Sequence, residues 1–273
     1  MRADLIKEDE LQILLLDIAR KYGYDFTEYS MASLKRRVNR LCLIDMHKNF
    51  TELRCRILNN EDYFSRFVEE ITVNVTEMFR DPSFYKSLRE NIIPELARHP
   101  HIKIWLAGCS TGEEVYSISI LLHEAGLLHK TLLYATDINP SVLEVAKKGI
   151  YAIGDMKLYS ENYMNSGGTR DFSTYYSAIY DRIKLREEFK LNTVFATHNL
   201  VADRSFNEFQ LIICRNVLIY FNKDLQEKVF TLFDDSLEHS AFLALGSKET
   251  IRFSDLESKY KQIGREKIWK KVS

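Results

Sequence analysis

Lys103-Ile104-Trp105-Leu106-Ala107-Gly108-Cys109-Ser110-Thr111-Gly112-Glu113-Glu114 decides the fold class. A short apolar run enters a turn carrying two glycines, and a helical pattern then extends from Glu113 to about Glu124. A buried strand passing through a tight turn into a helix is the opening half of a β–α–β crossover. Gly108 and Gly112 can adopt backbone angles closed to other residues and let a ligand approach the main chain. The start of the following helix presents unpaired N–H groups. In doubly wound sheets ligands sit beyond the carboxyl ends of the strands, which makes this turn the first candidate site.

The spacing is not G-x-G-x-x-G, and Glu113 and Glu114 put negative charge where a pyrophosphate would have to lie. Acidic residues in a first helical turn also complement the helix dipole without any ligand. A second strand, Leu132 to Thr136, ends in Asp137, 25 residues after Gly112. A carboxylate at that tip can accept hydrogen bonds from a ribose diol; the alternative is a capping Asp before Pro140. Taken with the glycine turn, the pattern favours a nucleoside without phosphates, which on such a sheet points to S-adenosylmethionine. Gly108-x-Ser110-x-Gly112 also matches the nucleophile elbow of hydrolases, for which His198 or His239 would have to serve as base. Two acidic residues beside Ser110 would crowd a developing oxyanion and weigh against that reading.

Outward from this unit the alternation continues. Further strands are expected at Thr193 to Thr197, Phe209 to Cys214, Phe242 to Leu245 and Lys267 to Val272, with helices at Ser141 to Lys147 and about Asp224 to Leu237. Apolar strands alternating with helices imply an α/β, doubly wound, mostly parallel sheet. The N-terminal part reads differently. Leu11, Leu14, Leu15, Ile18, Ala19 and Tyr22 form one helical stripe. A second helix is expected from Ser33, as N-cap, to about His47, with Leu34, Val38, Leu41 and Leu43 inward. A third starts near Thr51 and a fourth covers about Glu61 to Glu70. The expected division is an all-α domain at 1–72 and a second domain at 73–273.

Hydrophobic residues make up 45% and charged residues 28%, which excludes disorder and fibrous repeats. Lys+Arg 38 against Asp+Glu 39 argues against a partner that is a polyanion, such as a nucleic acid, although a local basic face remains possible. No run approaches the ~20 apolar residues of a membrane span, and the start lacks the pattern of a secretory signal. Cys42, Cys55, Cys109 and Cys214 form no C-x-x-C pair and are expected to be buried reduced thiols of a cytoplasmic protein. The histidines show no metal spacing, so no metal is expected.

Asn74-Val-Thr76-Glu-Met78-Phe79-Arg80, Gly108-Cys-Ser110-Thr-Gly112-Glu-Glu114, Thr136-Asp137-Ile138, His198-Asn199-Leu200 and Cys214-Arg215-Asn216-Val217-Leu-Ile-Tyr220-Phe221 occur in the order seen in CheR proteins. The chain therefore resembles the S-adenosylmethionine-dependent glutamate methyltransferases of bacterial chemotaxis receptors, over nearly its whole length. The resemblance implies a Rossmann-like class I methyltransferase fold, with an N-terminal helical, receptor-docking domain and a small β-subdomain inserted at about 165–190. It implies cofactor binding by Asn74, Thr76, Arg80, Gly108, Glu114, Asp137, Asn199, Leu200, Arg215 and Asn216, and a catalytic setting for Arg80 and Tyr220 beside the transferring methyl. Without the resemblance, Arg80 reads as a surface cap and Tyr220 as a core aromatic. Val115 replaces a common proline and Met78 a common phenylalanine.

A glutamate side chain ionises near ~4.3, so the acceptor is already an anion at neutral pH and no general base is needed. Lys35, Arg36, Arg37, Arg40 and Lys48 face only Asp45 in sequence, ordinarily a solvated helix face. The family docks acidic receptor helices on this basic helix, so the resemblance implies that Arg36, Arg37 and Arg40 steer the receptor. It further implies a monomer that makes no membrane insertion, with the cytoplasmic helices of methyl-accepting receptors as partner. An RNA or small-molecule substrate, or a non-catalytic module sensing the cofactor, are the competing readings. The alternation of Tyr175 to Lys184 leaves capture of a receptor C-terminal pentapeptide undecided.

Overall fold

The computed structural model describes residues 6–72 and 76–273. The described residues form two compact units: one runs up to Thr72 and takes in Ile219–Val229, and the other comprises Thr76 to Leu218 with Phe230–Ser273.

The first unit is helical, with α1 (Glu8–Tyr22), α2 (Met31–Ile44), α3 (Phe50–Asn59) and α4 (Glu61–Ile71). The α1 stripe is buried at Leu11, Leu14, Leu15 and Ile18; α1 packs against α2 and α3, and its Tyr22 ring stacks 3.8 Å from that of Phe64 in α4. Gly23, in the left-handed region at φ 75°, ends α1 and donates its N–H to Ala19 O. Asn49 and Asn60 cap α3 and α4 by accepting the N–H groups of Glu52 and Tyr63. The α2 start differs from the expectation: Ser30, not Ser33, is the N-cap, because its carbonyl receives the Leu34 N–H. The helix stops at Ile44, leaving Leu43 exposed and not inward.

The second unit opens with a helical segment, α5 (Pro82–Ser87), a π-turn and α6 (Ile93–Leu96). It continues with β1 (Ile102–Ala107), α7 (Glu113–Glu124), β2 (Thr131–Asp137), α8 (Pro140–Lys148), β3 (Ile150–Ala152) and α9 (Met156–Asn165). Then follow β4 (Tyr176–Ile179), β5 (Arg182–Leu185), β6 (Thr193–Thr197), β7 (Phe209–Cys214), α10 (Lys223–Ser236, of which the part up to Val229 counts with the helical unit), β8 (Leu237–Leu245), β9 (Tyr260–Gln262) and β10 (Ile268–Lys271). Seven strands make one sheet in the order β6-β2-β1-β7-β8-β10-β9, parallel from β6 to β8 and antiparallel at β10 and β9. This is the doubly wound, class I methyltransferase architecture. The small antiparallel sheet has the order β3-β5-β4, so it draws in Ile150–Ala152 from upstream of the expected insertion. Three residues flanked by a helix and a 3-10 turn carry too short a pattern to signal a strand. Cys42, Cys109 and Cys214 are buried, whereas Cys55 is exposed, against the expectation.

The chain runs from β1 outward to β2 and β6 and returns to β7 on the other flank of β1. The order of strands therefore reverses between β1 and β7, where doubly wound sheets open a crevice at their carboxyl ends.

Candidate functional site

The turn after β1 is stitched to the end of β2. The N–H groups of Gly108 and Cys109 donate to Thr136 O at 2.8 and 2.9 Å, and Ser110 N–H donates to Asp137 Oδ2 at 2.9 Å. Asp137 Oδ1 accepts the Asn139 N–H at 3.0 Å. Gly108 lies at φ 78°, and a side chain there would collide with Val217. Ser110 holds a left-handed φ of 49°, a strained angle for a residue with a side chain. Burial raises the Asp137 pKa, opposed by those backbone N–H bonds. Each carboxylate oxygen keeps a further lone pair, so Asp137 can accept hydroxyls while it holds the loop.

Arg215, immediately after β7, is the hub of the unit. Its side chain is 3% exposed and forms ion pairs with Glu114 at 2.7 Å and Asp81 at 2.6 Å. Nη2 also donates to Arg80 O at 2.9 Å, and the guanidinium stacks 4.1 Å over the Phe84 ring. Burial opposes the charge on Arg215, but Glu114 and Asp81 outweigh it and its pKa stands above the ordinary value. Two residues expected to bind the cofactor, Glu114 and Arg215, are thus bonded to each other. Glu114 also accepts a long 3.5 Å bond from the Tyr85 hydroxyl.

Arg80 sits between two left-handed residues, Phe79 at φ 53° and Asp81 at φ 58°. Such angles persist only where neighbours enforce them. Here Phe79 N–H donates to Ser117 Oγ at 2.9 Å, and Arg215 grips both the Arg80 carbonyl and the Asp81 carboxylate. Thr76 is half-buried in an irregular segment, and Asn74 lies outside the described residues. Asn199 and Leu200 follow β6; Asn199 Oδ1 accepts the Val201 N–H at 3.0 Å and its own N–H donates to Asp203. Asn216, at φ 61°, donates its N–H to Glu249 Oε2 at 3.0 Å.

Glu249 and Asp81 were not among the expected residues. Glu249 follows β8 in Gly246-Ser-Lys-Glu249, where one glutamate in a polar turn is indistinguishable from a surface residue. Asp81 before Pro82 reads as a helix cap, yet its side chain caps nothing and pairs with Arg215. Glu113 is 6% exposed and takes a 2.6 Å bond from the Thr111 hydroxyl; burial pushes its carboxyl up to about 7.

In the helical unit, Arg36 and Arg40 are exposed and Arg37 is half-buried. Arg40 pairs with Glu70 at 2.9 Å, Arg37 donates to Glu70 O at 3.4 Å, and the Arg37 guanidinium lies 5.6 Å from the centre of the Tyr220 ring. Burial lowers the Arg37 pKa, offset in part by Tyr220. Tyr220 therefore belongs to the helical unit, where Ser30 N–H donates to its carbonyl at 2.8 Å and Tyr29 bridges Phe221. Asp45 is bound by Arg66 at 2.7 Å, so it does not neutralise the basic face of α2.

The elbow reading of Ser110 gains nothing, since its buried Oγ has no hydrogen-bond partner and no base engages it. Ser110 Oγ, Asn139 Nδ2 and Arg215 Nε are all buried without a partner. They follow β1, β2 and β7, at the carboxyl ends where a ligand would satisfy them. A polar, phosphate-free nucleoside fits that inventory: acidic acceptors at Asp137 and Glu114, orphaned donors beside them, and paired rather than free cations.

Residues 74–268 match the family described as CheR methyltransferase, SAM binding domain, and residues 9–72 match CheR methyltransferase, all-alpha domain. Cher3 of Pseudomonas putida, a methyltransferase by name, is 46% identical over 254 residues, 93% of each chain. The chemotaxis protein methyltransferase of Listeria innocua is 30% identical over 86% of this chain and 87% of its own. That of Borreliella burgdorferi is 30% identical over 90% of each.

Proposed function

We propose that this chain, which belongs to the CheR methyltransferase family, esterifies glutamate side chains of methyl-accepting chemotaxis receptors. It is an S-adenosylmethionine-dependent methyltransferase of the chemotaxis type. The observation that carries the finer reading is the pairing of two features: a cofactor crevice in which Arg215 is bonded to two acids, and an exposed basic face on α2 suited to an acidic helical partner.

Asp137, Glu114, Asn199, Leu200, Arg215, Asn216, Gly108, Thr76 and Asn74 are assigned to hold the cofactor, which supplies an electrophilic methyl group when bound. Arg80, its backbone locked by Arg215, is assigned to hold the acceptor carboxylate, and Tyr220 is assigned a catalytic role from its motif alone. The glutamate is an anion at neutral pH, so the side chains have only to align it and exclude water. Proximity and orientation of this kind contribute roughly 7–11 kcal/mol to such a reaction. An Arg80 bond as strong in the ground state as in the transition state would bring no acceleration. Arg36, Arg37 and Arg40 are assigned to receptor docking, with Arg37 also braced against Tyr220.

The test is transfer of radiolabelled methyl from S-adenosylmethionine to purified receptor cytoplasmic fragments, with Arg80→Ala as control. Base-labile label lost in the variant supports the assignment. Label on RNA or on a small molecule, or cofactor binding without transfer, would replace it.

A further inference from the structure

We infer that Glu249 is a positioning residue for the cofactor: its carboxylate fixes the turn Arg215-Asn216-Val217 in the shape in which that turn meets S-adenosylmethionine. The inference rests on the assignment of Arg215 and Asn216 to the cofactor. Glu249 is 4% exposed. Its carboxylate accepts three backbone N–H groups, from Asn216 at 3.0 Å, Val217 at 2.9 Å and Gly246 at 2.6 Å.

The need for such a clamp follows from the sheet. The register of β7 and β8 ends at the pair Cys214 and Leu245, so Arg215 and Gly246 leave the sheet as neighbours and no ladder serves the next amides. Asn216, at φ 61°, turns two successive N–H groups the same way, a nest that ordinarily binds an anion. Here the chain supplies the anion itself. Glu249 N–H donates to Gly246 O at 2.9 Å and closes the turn that returns the side chain to the nest. Gly246 leaves the room: a Cβ there would lie 2.6 Å from Glu249 Oε2 and 2.8 Å from Asn216 N.

Two further contacts link the clamped turn to the site. Val217 lies against Gly108, whose turn is tied to Asp137 through Ser110. Arg215 reaches the other way, to Glu114 and the Arg80 carbonyl. Glu249 thus sets by main-chain bonds the stretch from which Arg215 and Asn216 project. Bonds to an ionised acceptor are the stronger kind, and a neutral amide at this position would face an N–H donor with an NH2 group.

The test compares the full wild-type chain with Glu249→Gln. Calorimetry with S-adenosylhomocysteine should show Kd raised roughly tenfold or more, the scale of one lost bond to a charged acceptor. KM for S-adenosylmethionine should rise with it. A folded variant with wild-type affinity overturns the inference. Amide exchange in the ligand-free wild type decides the case where the variant does not fold. Asn216 and Val217 amides protected like those of β7 support the clamp, and exchange at the rate of an exposed loop overturns it. Wild-type protein indifferent to S-adenosylhomocysteine would instead overturn the underlying site assignment, and that result precedes any substitution.

Discussion

Arg40 and Arg215 meet carboxylates at similar distances, 2.9 Å to Glu70 and 2.7 Å to Glu114. Their surroundings differ: the Arg40 side chain is 66% exposed and that of Arg215 is 3% exposed. In water the first pair is screened and exchangeable, so Arg40 can leave Glu70 for a carboxylate on an incoming helix at little cost. The second pair has no water to fall back on, so Arg215 is committed to Glu114, Asp81 and the Arg80 carbonyl. One side-chain type thus stays exchangeable where it is wet and fixes geometry where it is dry.

The largest effect is expected at Arg215. Arg215→Ala strands Glu114 and leaves the Arg80 turn unheld, and removal of one partner from a buried pair costs about 3–5 kcal/mol. Urea unfolding should show that loss, and calorimetry should show binding of S-adenosylhomocysteine reduced beyond detection. Retained stability and affinity would refute the committed role.

Glu113 sharpens the contrast from the acidic side, being a buried carboxyl bonded to a hydroxyl. Its pKa is raised from 4.5 to about 7, so the folded state holds a proton that the unfolded chain releases. Its stabilising contribution is full below pH 4.5 and is lost as pH rises to about 7, a decline of up to about 3 kcal/mol. Glu113→Gln should flatten stability over that window and leave the variant more stable than wild type at pH 8, read by urea titrations at several pH values. A wild-type slope preserved in the variant would show that Glu113 is not the titrating group.

On the wet side the effects are smaller and kinetic. Arg36→Glu with Arg40→Glu should raise the receptor KM several-fold, less so in high salt, with affinity for S-adenosylhomocysteine unchanged. Unaltered receptor kinetics would remove α2 from docking. Arg40→Ala should change unfolding stability by no more than about 1 kcal/mol, the scale of an exposed ion pair. A larger loss would mean that the Glu70 pair is structural after all.

What the sequence disclosed divides along the same line. Strands such as Thr193–Thr197 and Phe209–Cys214 and the helix Glu113–Glu124 carry their own periodicity and were legible to the residue. The small sheet was legible only in part, because β3 is too short to have a period. Among the candidate site residues, Asp137 and Gly108 announce themselves by position, one ending a strand and the other following one. The Arg215–Glu114 bond joins residues about a hundred positions apart, and no local pattern encodes that distance. Tyr220 could be named from its motif, but its place against Ser30 and Arg37 comes from chain topology. Glu249 was hidden because its carboxylate bonds three backbone amides, which sequence does not display.

Whether the acceptor is a receptor glutamate is read directly by mass spectrometry of a receptor cytoplasmic fragment after incubation with the enzyme and S-adenosylmethionine. The expected result is peptides heavier by one CH2, a methyl in place of a proton, at glutamate side chains, reverting in mild base and missing with Arg80→Ala. Methylation at any other side chain, or receptor peptides left unmodified by an enzyme that binds S-adenosylhomocysteine, would contradict it.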